Sequence, residues 1–166
     1  MPAQRPPSPR AARPNFTPGY GIERRLTKEM LAWPAVQRAL AKSRNYWIVT
    51  ASGDGAPHAA PVWGLWFDGS LCFSTDPNSR KGRNLAANPR LVVHLESGDD
   101  AVILTGRAER ITDPKLLNRF ARAYKRKYAF RPNTDDPNGA FFRLRLASAL
   151  AWKERNFPKS ASKWSF

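Results

Sequence analysis

From residue 46 to residue 152 short runs of apolar, β-branched and aromatic residues alternate with turn residues, and the last run, 141–152, sets apolar against basic positions with the period of a strand that has one face in a core and the other outside it. Strands are predicted over 46–51, 57–67, 71–75, 91–96, 101–111 and 141–152. The Asp68-Gly69 pair joins the second to the third. Its first residue tolerates positive φ and its second favours it, which makes these two strands an antiparallel hairpin. Three stretches carry helical spacing instead. Thr27 is placed to cap a helix running to about Ser43, with Leu31, Val36, Ala39 and Leu40 as its apolar stripe; Pro34 sits early in it or marks a break. Ser79 opens a short helix that stops before Asn88-Pro89. Thr112-Asp113-Pro114 opens a third, through Leu116, Leu117, Phe120 and Tyr124 toward Tyr128, whose face of Arg119, Arg122, Lys125, Arg126 and Lys127 reads as solvated. About six short antiparallel strands with helices inserted at the turns indicate a mainly β, α+β chain folded as a small closed barrel rather than a parallel doubly wound sheet.

The 166 residues, 42% of them hydrophobic, suffice for one domain with a sizeable core, placed here at 22–166. Residues 1–21, rich in proline and arginine, lack a periodic apolar pattern and are expected to form a mobile tail. The last residues, ending in Trp164 and Phe166, are too apolar for a solvated tail and are expected to dock on the barrel or on a second subunit. No apolar run reaches bilayer length and no secretory pattern precedes the domain, which gives a cytoplasmic location as the expectation. The formal charge of +15 invites a nucleic-acid reading, but no helix-turn-helix, zinc-finger or RNA-binding aromatic pattern accompanies it. A phosphorylated small molecule is the preferred partner and nucleic acid is not expected. Cys72, the one cysteine, lies on an apolar strand and reads as an inert core thiol.

The strongest chemical signal is Ser79-Arg80-Lys81-Gly82-Arg83-Asn84, three cations with hydroxyl and amide groups at a helix start. Free N–H groups and the positive end of the helix dipole suit a phosphate there, and Gly82 permits close backbone approach. Upstream, Val62, Trp63, Gly64 and Trp66 mix flat apolar and small residues beside the hydroxyls of Ser74 and Thr75 on the facing strand, the components of a slot for a planar ring. Either tryptophan taken singly is better read as packing the barrel core. His58 and His94 share no metal-type spacing with Cys72; His58 is a candidate proton carrier or a hydrogen-bonded structural residue.

Taken in order, Tyr46-Trp47, Gly55-x-Pro57-His58, Pro61-Val62-Trp63-Gly64, Phe73-Ser74-Thr75, Ser79-Arg80-Lys81-x-Arg83-Asn84-Leu85, Asn88-Pro89 and the closing Lys163-Trp164 resemble the pyridoxamine 5′-phosphate oxidase-like split β-barrel superfamily, in its flavin/deazaflavin oxidoreductase branch. The resemblance covers residues 26–166 and implies a six-stranded antiparallel split β-barrel of the FMN-binding type. It also implies a homodimer with cofactor sites between subunits. Ser79, Arg80, Lys81 and Arg83, with Asn84 in the same motif, would then serve the cofactor phosphate. Pro61, Val62 and Trp63 would line the ring with Ser74 and Thr75 beside it, and Lys163 and Trp164 would come from the partner. The form of the basic motif is similar to that of the deazaflavin (coenzyme F420) users, whose anionic coenzyme also suits the positive charge; FMN is the alternative. The implied activity is hydride transfer to a small unsaturated or quinone-like substrate, with no single residue assigned as catalytic. A non-catalytic cofactor-binding protein is the remaining alternative.

Overall fold

A computed structural model describes residues 9–22, 24, 25 and 28–166. Its strands are β1 (Arg10–Ala12), β2 (Asn45–Ala51), β3 (Pro57–Phe67), β4 (Ser70–Thr75), β5 (Arg90–His94), β6 (Asp100–Arg110), β7 (Ala140–Lys153) and β8 (Ser162–Ser165). Four helices accompany them: α1 (Trp33–Lys42), α2 (Arg80–Ala87), α3 (Pro114–Tyr128) and the single turn α4 (Phe157–Ser160). The six strands expected from the alternation are all present. They close on themselves in the order β7-β4-β3-β2-β5-β6, with β6 returning to β7, and every pairing is antiparallel.

Two strands each change neighbour half-way along, and that splits the barrel. The first part of β7 (140–143) pairs with β4 and the later part (148–151) with β8. Likewise residues 57–63 of β3 pair with β2, while 64–67 pair with β4. The interior is filled by the inward positions of the strands, among them Tyr46, Ile48, Leu71, Phe73, Val93, Leu104 and Leu144, with Val36 and Leu40 of α1 and Leu85 of α2 closing over them. A second apolar cluster joins α3 to the outside of the β3–β4 hairpin through Leu65, Cys72, Phe120, Tyr124 and Phe141. Asp113 caps α3 by accepting the Lys115 N–H at 3.0 Å.

Several expectations are corrected. Helix α1 begins at Trp33, not near residue 27: Pro34 stands in its first turn, where its missing N–H costs nothing and its ring bars an earlier turn. The capping residue proposed for that helix, Thr27, lies outside the described residues. Residues 10–21, expected to belong to a mobile tail, are docked. β1 adds to β8, the Arg13 guanidinium donates to the carbonyls of Pro158, Lys159 (2.8 Å) and Ala161 (2.7 Å), and Phe16 and Tyr20 pack on Phe157. The C-terminus, by contrast, docks on the barrel as one of its two expectations had it: it is a strand, with Trp164 only 1% exposed and packed 5.3 Å from Trp33. Lys127, read as solvated, is half-buried.

Candidate functional site

Where β3 leaves β4, the candidate residues meet. The last paired residues there are Gly64 and Phe73. Trp63 and Ser74 would be the next pair and Val62 and Thr75 the one after, but neither pair forms, so these four residues flank a parting of the sheet. The direction of the backbone groups follows from Gly64. Its N–H and carbonyl are taken up on the β2 side by the Tyr128 hydroxyl (3.0 and 2.7 Å), which also meets the Arg44 carbonyl at 2.6 Å. Backbone groups alternate from edge to edge along a strand, so those of residues 57, 59, 61 and 63 point the other way, off the sheet. Two of these are Pro57 and Pro61, which have no N–H to leave unpaired. The edge therefore offers the N–H of Ala59 and Trp63 and four carbonyls beside the exposed side chains of Pro61 and Trp63.

Helix α2 supplies the charge. The Ser79 side-chain oxygen accepts the Gly82 N–H at 3.1 Å, its hydroxyl donates to the Asp76 carbonyl at 2.7 Å, and Thr75 Oγ1 lies 3.1 Å away. Ser79 thus ties the helix start to the end of β4 and has no proton left for a ligand. The N–H groups of Arg80 and Lys81, in the first turn, lie ahead of the helix's own ladder. Neither of their side chains takes part in an ion pair among the described residues. Arg83 is exposed, with Nη1 donating to the Asn78 carbonyl.

The strand period sorts the expected site residues into two sets. Pro61, Trp63 and Ser74 share the outer face, and Arg80, Lys81 and Arg83 carry charge at the helix beside it. Val62 and Thr75 face the interior instead. Asn84 is buried and donates to Thr50 Oγ1 at 3.0 Å, fastening α2 across the end of the barrel, where His58 stands opposite Thr50. Gly82 meets the chain's own loop rather than an open space: an added Cβ would lie 2.6 Å from the Pro77 carbonyl oxygen and overlap that of Asp76. Lys163 and Trp164 lie apart from all of these within one chain. Lys163 pairs with Leu150 while Ser74 pairs with Phe141, nine residues away, a contour of about 30 Å along β7. Trp164 is core.

One group at the parting is absent from the expectations. The Trp63 ring, 40% exposed, stacks on Tyr128 at 4.7 Å and 5° between planes, with the Arg44 guanidinium 5.1 Å from its centre. Beside them Lys127 Nζ donates to Tyr46 Oη (2.9 Å) and the Gly64 carbonyl (3.1 Å). Burial, reinforced by the Arg44 charge, brings its pKa down to about 8. The signal for Lys127 was present, since it follows Phe120 by seven residues and Tyr124 by three, on the apolar stripe of α3. Cys72 is buried, and desolvation pushes its thiol up to about 12, which leaves it protonated and unreactive at neutral pH.

A sequence profile for pyridoxamine 5′-phosphate oxidase matches residues 32–153, from the start of α1 to the end of β7. The chain belongs to that family. No curated protein matches by sequence. Among solved structures, a conserved hypothetical protein of Mycobacterium tuberculosis superposes with a TM-score of 0.67 at 22% identity, over 79% of this chain and 91% of that one. A protein described as an F420 reductase gives 0.55 at 21% identity, over 68% and 94%. A heme binding protein from Mycobacterium smegmatis gives 0.55 at 23%, over 69% of this chain and only 51% of its own. At such identities these likenesses establish the fold. As a pyridoxamine 5′-phosphate oxidase-family protein the chain shows the six-stranded barrel expected of it, extended by β1 and β8. No helix among its described residues is long and apolar enough to cross a membrane.

Proposed function

We propose that this family member is a homodimeric oxidoreductase that binds deazaflavin coenzyme F420 at the parting of β3 and β4 and reduces a small unsaturated or quinone-like substrate. The observation that carries the reading is the juxtaposition of an unpaired strand edge with a basic, serine-capped helix start. A tricyclic ring with an amide-bearing edge needs a flat apolar bed and backbone donors and acceptors in its plane; Pro61, Trp63 and the free edge of β3 answer that need. Its phosphate needs cations and N–H groups, and Arg80, Lys81 and the first turn of α2 offer both. The residues present therefore fit the coenzyme. When bound in reduced form it supplies the hydride, and the substrate takes up a proton as well.

The chain's own part is to bind, orient and cover. Asn84 and Ser79 fix α2 against Thr50 and Thr75, so that the cations are presented from a rigid element. The Trp63–Tyr128–Arg44 stack walls one end of the bed. Lys163, on the far side of its own barrel, serves a site only as a contribution from a second copy, which is one reason for proposing a dimer. The outward face of the sheet is the other reason, because it carries Trp47, Val49, Ala59, Val92 and Ile103 where a solvated face would be polar.

Titration of the apoprotein with F420 and, separately, with FMN tests the proposal. Quenching of deazaflavin fluorescence at micromolar protein, weakened by Lys81→Ala, is the expected result. Tight uptake of FMN with no response to F420 moves the assignment to an FMN enzyme on the same bed. Failure of both to bind ends it.

A further inference from the structure

The end of the bed at Trp63 holds positive charge with no counter-ion. The Arg44 guanidinium stands 5.1 Å from the centre of the Trp63 ring and 5.6 Å from that of Tyr128. Lys127 Nζ stands 5.2 Å from the same Tyr128 ring and 4.8 Å from that of Tyr46. Neither cation forms an ion pair among the described residues. The groups that Lys127 does meet, the Tyr46 hydroxyl and the Gly64 carbonyl, are neutral. Burial raises the pKa of both Tyr46 and Tyr128 above the ordinary phenol value, so neither becomes an anion near neutral pH. Glu96, beyond Asn45, accepts the Asn45 amide at 3.2 Å and pairs with neither cation. Two like charges so close, one of them half out of water, are costly unless a negative group joins them.

The donors left over describe that group. Lys127 spends two of its three N–H groups on Tyr46 and Gly64 and keeps one, while the exposed Arg44 guanidinium adds a planar fork. Three donors match the two oxygens of a carboxylate and fall short of a phosphate, which the start of α2 serves better. Beside them the Trp63 ring, backed by Tyr128 yet 40% exposed, offers a flat apolar surface.

We infer that Arg44 and Lys127 seat the carboxylate of the substrate, which is a small planar acid with a double bond conjugated to that carboxylate, lying against Trp63. This rests on the proposed coenzyme site, which ends at the same stack, and names the class of acceptor it serves. Conjugation suits such a seat. As the β-carbon accepts a hydride from the reduced coenzyme, the electron pair of the double bond shifts toward the carboxylate, where the two cations stabilise it. The α-carbon then takes a proton from water, and the saturated acid and the oxidised coenzyme leave.

Isothermal titration of the full chain with cinnamate, cinnamamide and inorganic phosphate, with and without F420, is the test. Cinnamate should bind at least about tenfold more tightly than the amide, lose about tenfold on Arg44→Met, and stay within about twofold of wild type on Lys81→Ala. Arg44→Met keeps the backbone carbonyl that Tyr128 uses. Affinity should also fall severalfold from about pH 7 to pH 9, as Lys127 loses its proton, and Lys127→Met should abolish that fall. No binding of cinnamate, equal binding of the amide, or an Arg44→Met variant that is folded by circular dichroism and binds like wild type overturns the inference. So does displacement of cinnamate by lower concentrations of phosphate, or a loss on Lys81→Ala in place of Arg44→Met, which would put the acid at α2. F420 binding with no cinnamate binding refutes the carboxylate seat and leaves the coenzyme reading standing; cinnamate binding as expected with neither F420 nor FMN bound does the reverse.

Discussion

The Tyr128 hydroxyl stands between the carbonyl oxygens of Gly64 and Arg44, at 2.7 and 2.6 Å, and accepts the Gly64 N–H at 3.0 Å. A side chain thus completes the ladder where β2 runs out, and the same ring supports Trp63 from beneath. Tyr128→Phe should keep the stacking and strand the buried Gly64 N–H, at a cost of about 1–3 kcal/mol, read as a lower urea midpoint with unchanged slope.

The seat of α2 is as demanding as its charges. Gly82→Ala forces a methyl group into the Asp76 and Pro77 carbonyls, and the helix start must move to admit it. Loss of thermal stability together with at least about tenfold weaker coenzyme binding is expected, since the cations travel with the helix.

Lys81→Ala and Arg80→Ala remove cations that form no ion pair among the described residues, and each should weaken coenzyme binding by about tenfold, the worth of one charge-assisted hydrogen bond. The effect should shrink as salt rises. Arg83→Ala should cost less, because that guanidinium is turned toward the Asn78 carbonyl. Isothermal titration at two ionic strengths distinguishes the three.

Stability should depend on alkaline pH in two opposing ways. Lys127, at about 8 in the folded chain against an ordinary 10.5, binds fewer protons folded than unfolded between those values, so stability rises with pH across that window. Cys72 and Tyr124 are each raised to about 12 by burial; they hold protons in the fold that the unfolded chain has given up, so stability falls from about pH 9 upward. Denaturant midpoints should therefore climb from pH 8 to a shallow maximum near pH 9 and then decline. Lys127→Met should abolish the climb and leave the decline.

Much of this was legible in the sequence where a single period governs a long segment. β3 runs from Pro57 to Phe67 as the alternation and the Asp68-Gly69 turn require, and φ is positive at both turn residues. Ser79 caps α2 where the motif placed it. The short terminal strands were not legible. β1 has three residues and β8 four, too few to show alternation, and both exist only because β7 offers an edge beyond the end of β4. The opposite facing of Ser74 and Thr75 follows from the strand period alone, and Asn84 lies one residue before Leu85, both buried on the inner side of α2. Tertiary contacts alone disclose the Arg44, Trp63 and Tyr128 stack, because residues 44, 63 and 128 are far apart in the chain.

The prolines at 57 and 61 have a consequence beyond ligand recognition. A bare strand margin is a template on which any extended peptide polymerises, and cells must blunt such templates. Here the margin lacks a donor at alternate outward positions, too sparse a row for a foreign strand to zip onto, while its carbonyls remain free for the proposed coenzyme. An edge left open in this way opposes the addition of a second strand.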